Sequence, residues 1–569
     1  MEKFEIITGK NNVCTAVQTG EKEYRIDLKW DIREKEDGNV LIKLFIPCVD
    51  IECAWQPTIL AARNINLKFF SMLSASAPVL SYLNNSGNSV FLLALSEIRK
   101  RIDYDFAVVE ETAMIEGKIS IDLNQFEGMS EYSFYIYIDE TEMPLYEGCA
   151  EIRDWWRKKL NLCDSRIPEN ALLPMYSTWY SFHQHFTADK LERECVLAKS
   201  MGMSSVIVDD GWQTDDVSRG YAYCGDWEVC ASKIADMKEH VRRVHNAGLK
   251  YILWYSVPFV GKKSRMWNTF KGKFLKIDDE LGTGVLDPRY KDVREYLIGT
   301  YKKALTEWNL DGFKLDFIDN FTFSEDAPAN EDMDFSCVQD AVYELMSSVK
   351  RELSAIKPDI MIEFRQGYIG PGMCEFGNMF RVVDCPENYT MNRICTVDLR
   401  MLSRNVAVHS DMLMWNENES TEGAALMILN VIFSVIQFSM RIENLKEEHI
   451  EMPRFWLGFA KENRALLLES KFAAYEPQHF YPLIKAYDEK AEIIGVYEDG
   501  KIVRIDQLDN IKIINAKKSE RIYIETDFLK EYNVLVRNCE GEITNSYTHS
   551  FNKGVCKIDV PKCGIIELF

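Results

Sequence analysis

The chain has no CxxC pair, and its 15 cysteines are odd in number and scattered without paired spacing. That excludes a disulfide scaffold and a Cys/His zinc site, and it fits reduced thiols in a cytoplasmic protein. No GxGxxG turn follows any strand-like run, which argues against dinucleotide binding. Basic residues are not in excess: the formal charge is −22, which argues against a nucleic-acid surface and an anionic membrane as partners. No apolar run reaches the ~20 residues a membrane span needs. The longest, AALMILNVIFSVIQFSM at 424–440, carries Asn430, Ser434 and Gln437 and reads as a buried helix and strand. The start, MEKFEIITGK, lacks the apolar core of a signal peptide. Internal repeats and low-complexity tracts are missing as well.

Apolar residues make up 47% of the 569 positions, enough to bury a large core. The first third reads as short β-branched and aromatic runs such as VLIKLFI, SVFLLALS and YSFYIYID, the pattern of an antiparallel β-sandwich over 1–145. A helical linker, 146–167, leads away from it. From about Pro168 short apolar runs alternate with long helical patterns: MYSTWYSF, SSVIVDDG, KYILWYSV, GFKLDF, DIMIEF, FRVVD, NVAVHSD and FSVIQFS. Thr187 is an N-cap for the first intervening helix, and Gly202 follows its end. Eight β-then-α units predict a central (β/α)8 TIM barrel over 168–470, with a doubly wound sheet as the alternative. From 471 to 569 strand signals return and predict an all-β C-terminal domain. The fold class is thus multidomain α/β.

In such a barrel the chemistry sits at the C-terminal strand ends. Those ends read Trp179 and Tyr180, Asp209 and Asp210, Trp254, Lys314 and Asp316, Glu363 and Arg365, Asp384, then His409 and Asp411. Strand alternation points Lys314 and Asp316 to one face. Carboxylates mixed with tryptophans is the composition of a sugar site: aromatics stack on the C–H faces of a pyranose, and charged groups bind its hydroxyls. Glycoside cleavage needs two carboxyl groups, one ionised and one protonated, and a nearby lysine keeps an aspartate ionised. Taken singly, each feature has a plainer reading: Lys-x-Asp as an ion pair, DDGW as a capped turn, His409 and Asp411 as a structural pair, Asp384 as a loop residue, Trp55 and Trp227 as packing groups. Their collection on one rim favours the site.

VIVDDGWQ, the later GDW at 225–227, LWYSVPFVG, VLDPRYKDVREYL and DGFKLDFID resemble the successive motifs of glycoside hydrolase family 36, the α-galactosidases, related in clan to the melibiases. The resemblance implies a retaining α-glycosidase without a cofactor, acting on an oligosaccharide or glycoside, and a homo-oligomer. It implies Asp316 of KLDF as nucleophile, and Asp384 of MFRVVDCPENY as acid/base, with Asp411 as competitor one strand later. It also implies Asp209 and Asp210 as ligands for sugar hydroxyls, helped by Lys314, with Trp227 walling the pocket and Trp55 closing it from the N-terminal domain. Trp254, His409 and Asp411 complete the candidate substrate contacts. One departure stands out: EFRQGYIGPG at 363–372 replaces the family's Cys-Ser-Gly-Gly-Gly-type loop beside the sugar 2-hydroxyl, and Arg365 takes the cysteine's position. An α-linked N-acetylgalactosamine substrate is therefore the alternative to galactose.

The expected chemistry is double displacement, with Asp384 carrying a raised pKa through burial or repulsion from Asp316. A transglycosylase, a non-catalytic carbohydrate-binding protein and a metal-dependent hydrolase using HQH at 183–185 are the rival readings.

Overall fold

The computed structural model describes every residue except 1–2, 10–11, 31–37, 59–63, 127–128, 325–326, 366 and 404. The N-terminal part is a sandwich of a five-stranded and a seven-stranded sheet. The strand Asn39–Pro47 explains why: Val40, Ile42, Leu44 and Ile46 are buried while the residues between them are not, so one face is core and the other surface. These pack on Phe106, Ile119 and Ile136 from neighbouring strands. The helix Leu145–Leu160 then bolts the sandwich to the rest, with the buried Trp156 donating its indole N–H to the Leu95 carbonyl at 2.7 Å.

Eight parallel strands follow: β1 (Met175–Ser177), β2 (Ser205–Val208), β3 (Lys250–Ser256), β4 (Gly312–Asp316), β5 (Met361–Arg365), β6 (Met379–Arg381), β7 (Ala407–His409) and β8 (Gln437–Phe438). They pair in sequence order, with β8 beside β1. Parallel bridges His409–Val435 and Leu413–Phe438 bring the last two strands together and nearly close the barrel. Each of the eight expected runs overlaps a barrel strand, six of them over its full length. Among the described residues the exception lies in the helices: β5 is followed by a single 3-10 turn, Met373–Glu375, instead of an α-helix. Gly367, Gly370, Pro371, Gly372 and Gly377 crowd that segment, and glycine and proline are the poorest helix formers. The segment packs instead on the sandwich, where Ser76 N–H donates to the Gly367 carbonyl and a Cβ on Gly370 would meet the Ser76 carbonyl oxygen at 3.0 Å.

The apolar run at 424–440 folds as the helix Thr421–Leu429 and strand β8, and no helix among the described residues is long and apolar enough to cross a membrane. After the helix Glu448–Glu462, a seven-stranded and a three-stranded sheet form the C-terminal domain. It mixes antiparallel pairs with two parallel ones, Ala491–Val496 with Asn510–Asn515 and Ile502–Arg504 with Arg521–Thr526.

Candidate active site

On β4 the side chains of Phe313 and Leu315 join the main core, while Lys314 and Asp316 form polar contacts with neighbouring strands. The register sets Trp254 of β3 beside Lys314, and Ser256 beside Asp316. Lys314 Nζ lies 2.5 Å from Asp209 Oδ2, so its direct ion pair is with Asp209 at the end of β2. Asp210 hands its N–H to Asp209 Oδ1 at 2.9 Å, and its own carboxylate accepts from the Gln184 and Gln213 amides at 2.6 and 2.7 Å. Burial pushes the Asp210 pKa up to about 6 against those hydrogen bonds.

Asp316 is surrounded by donors. Trp254 Nε1 donates to Oδ2 at 2.9 Å, Phe317 N–H donates to Oδ1 at 2.8 Å, and the Arg365 guanidinium forms an ion pair with Oδ1. Phe317 adopts φ 66°, ψ 17°, the left-handed region, which aims its N–H back at the carboxylate as the chain turns into the 3-10 turn Ile318–Asn320. Arg365 also lies over the Phe317 ring, 4.7 Å from its centroid. Burial would raise the Asp316 pKa, but the charges of Arg365 and Lys314 outweigh it and hold the carboxyl below its ordinary value.

Arg381 of β6 organises the far side. Its Nη1 contacts Asp384 Oδ1 at 2.6 Å and Asp411 Oδ1 at 2.9 Å. The two acids differ in access: the Asp384 side chain is 43% exposed and that of Asp411 is 0% exposed. Asp411 Oδ2 accepts from Cys385 N–H at 2.7 Å and from the Tyr180 hydroxyl at 3.0 Å, so both its oxygens are used within the protein. Its pKa is raised by burial against Arg381. Asp384 goes the other way: Arg381 outweighs burial and takes it down to about 2. The expected raised pKa of Asp384 is thus overturned in the resting structure, because the cation beside it favours the charged form.

Three other expected contacts lie elsewhere. His409 is buried: Gln437 Nε2 donates to its Nδ1 at 3.1 Å, and its Nε2 donates to the Ala171 carbonyl at 2.9 Å, toward the N-terminal end of β1. Neither nitrogen is left for a sugar, and burial lowers its pKa to about 3. Trp55 does not close a pocket; its Nε1 donates to Asp398 Oδ1 at 3.0 Å on the helix Tyr389–Leu402, where Tyr481 of the C-terminal part also donates. It is a bolt where three parts of the chain meet. Trp227 is 7% exposed and stacks on Trp212 at 6.1 Å and against Tyr255 at 4.8 Å, backing Trp254. Trp254 itself is 1% exposed and serves Asp316 through its N–H.

Arg381 was not among the expected residues, although it breaks the apolar strand MFRVV as Lys314 breaks its own. Gln184 and Gln213 carried no strand-end signal. Among the described residues no group of three His, Cys, Asp or Glu side chains forms a metal site.

Fold and rim together define a (β/α)8 barrel whose C-terminal strand ends gather carboxylates, cations and tryptophans. Residues 147–394, which include the first six barrel strands, match the Melibiase family model, in line with the motif resemblance. The bifunctional α-galactosidase/sucrose kinase AgaSK of Mediterraneibacter gnavus is 24% identical over 229 residues, 39% of this chain and 23% of that protein. The α-galactosidase Mel36A of Lactobacillus acidophilus is 24% identical over 178 residues, 29% of this chain and 24% of its own length. The alignment thus spans about a quarter of these curated relatives. In fold the likeness extends along the whole chain: the family 36 α-galactosidase AgaA of Geobacillus stearothermophilus, solved with raffinose, superposes with TM-score 0.63 at 13% identity, covering 100% of this chain and 86% of that one.

Proposed function

We propose that the protein is a retaining α-glycosidase that releases terminal α-linked galactose from oligosaccharides or glycoconjugates. The observation that carries this reading is Asp316, a carboxylate at the end of β4 kept ionised by Arg365 and Lys314 and oriented by the Trp254 N–H. The names of the relatives, α-galactosidases among them, support galactose as the sugar. Asp316 attacks the anomeric carbon as the bond to the leaving oxygen breaks and Asp384 delivers its proton to that oxygen. A covalent glycosyl-enzyme results. Asp384 then takes a proton from water, whose oxygen displaces Asp316. The partial exposure of Asp384 suits it to meet a leaving group, and the enclosure of Asp411 suits it to orient Arg381. To act as an acid, Asp384 has to leave Arg381 when substrate binds and take up a proton from solvent, which its exposure allows.

A second reading has its own observation. Arg365 touches the nucleophile, and in a bound sugar the substituent on the carbon next to the anomeric one lies closest to it. A guanidinium there is a donor for an acetamido carbonyl, which favours α-N-acetylgalactosaminide. Aryl α-galactoside, α-N-acetylgalactosaminide, α-glucoside and α-arabinopyranoside, followed by proton NMR, test both readings. Release of the α-anomer first from the galactoside is expected. First release of the β-anomer would refute retention, and no turnover of any of the four would refute the glycosidase reading.

A further inference from the structure

We infer that Asp319 is a positioning residue that receives Arg365 when Asp316 becomes a glycosyl ester. This rests on the reading of Asp316 as nucleophile. Asp319 stands on the 3-10 turn directly after β4, and a Cβ on Gly367 would meet its Oδ2 at 3.0 Å. Gly367 lies two residues beyond Arg365, so Asp319 borders the backbone that carries the arginine. The Asp319 Oδ1 is buried and has no hydrogen-bond partner. Buried carboxylate oxygens are nearly always paired, so an orphan next to an arginine engaged elsewhere calls for an explanation.

Charge conservation supplies it. At rest Arg365 is ion-paired with Asp316, and its charge also reaches Asp319. Burial raises the Asp319 pKa, and Arg365 and the Asn320 side chain favour the anion against it. When Asp316 forms its bond to the anomeric carbon, its charge is consumed as the leaving group departs. Without a second acid the guanidinium would remain in a largely buried place with no counter-ion, a costly state. With Asp319 the local sum moves from −1 to zero. The transition state has cationic sugar character as well, so the same anion favours the path to it. The backbone beside Asp319 is held meanwhile, since Ser76 N–H donates to the Gly367 carbonyl.

The test is the rate of covalent labelling by a fluorinated α-galactosyl fluoride that traps the glycosyl-enzyme, read by intact-protein mass spectrometry. Asp319→Asn is expected to slow labelling by about tenfold or more, and Asp319→Glu, which keeps the charge, to restore most of the rate. In an Arg365→Gln background the Asp319→Asn change is expected to have less than about a twofold effect, because no cation is left to receive. Equal losses in both backgrounds, or a Glu variant as slow as the Asn variant, would overturn the inference. Failure of the wild-type protein to label at all would instead count against the glycosidase reading.

Discussion

Strands β4 and β7 end in the same local pattern, a basic residue, one intervening residue and an aspartate: Lys314-Leu315-Asp316 and His409-Ser410-Asp411. The outcomes differ. Asp316 ends its strand under an indole, a backbone N–H and a guanidinium, on the side of the barrel where Arg365 and Asp384 keep some exposure. Asp411 has a side chain with no exposure, enclosed by Arg381, Tyr180 and Cys385. Lys314 pairs with an acid from β2, whereas His409 turns toward the base of the barrel and is neutral. Alternation decides which side of a strand a residue takes, but height along the barrel axis and the neighbouring strands decide whether it lies by the open rim or seals the interior.

The most forceful way to break the comparison is to remove both aspartates in turn. Asp316→Ala should lower kcat by roughly 10^4-fold or more while lowering the melting temperature less than Asp411→Ala does, because Arg365 is partly exposed and Arg381 is not. Asp411→Ala should lose its activity through the fold: an Arg381 stripped of one buried partner destabilises the protein by roughly 3 kcal/mol or more, seen in thermal melts. Equal melting temperatures for the two variants would erase the distinction drawn between the strands. Asp384→Ala comes next. A lost general acid should cost about 10^2- to 10^4-fold on alkyl or sugar leaving groups and much less on dinitrophenyl glycosides, which need no proton. A loss independent of leaving group would remove Asp384 from that role.

Much of this site was legible from residue order. Eight apolar runs overlap the eight barrel strands, and the charged residues interrupting them lie along the candidate rim. What escaped has a physical cause in each case. Arg381 ends β6, but the run stays apolar past it through Val382 and Val383, so residue order points to Asp384 as the strand end. The pKa direction of Asp384 depended on that arginine and inherited the omission. His409 was misdirected because a period of two cannot tell the top of a barrel from its base. Trp55 sits opposite Asp398, 343 positions away, and no local pattern reports a contact of that separation.

A smaller effect tests how Asp316 is tuned. Trp254→Phe keeps the ring but deletes the N–H that meets Asp316 Oδ2. A hydrogen bond to a charged group contributes about 1.5–3 kcal/mol, so kcat/KM should fall roughly 10- to 100-fold without loss of stability. An unchanged kcat/KM would mean that the indole only fills space.

The smallest effect concerns the barrel interior beneath β7. Glu363 Oε2 accepts from Gln437 Nε2 at 2.5 Å, and the same amide nitrogen reaches His409. Burial raises Glu363 from 4.5 to about 7 and lowers His409 from 6.5 to about 3. The raised Glu363 contributes stability that is full below its ordinary value and fades as pH rises through about 7. The depressed His409 contributes stability that is full above 6.5 and fades as pH falls toward about 3. Between pH 4.5 and 6.5 the folded pair holds one proton, on Glu363, and the unfolded pair holds one, on His409, so their slopes cancel. Glu363→Gln removes one side of that balance. Relative to the wild-type protein its stability should climb with pH across this window, by up to about 1.4 kcal/mol per pH unit, while His409→Gln should show the opposite slope. Thermal melts of the three proteins at half-unit pH steps would decide it, and parallel curves would mean that both groups keep ordinary pKa values inside the barrel.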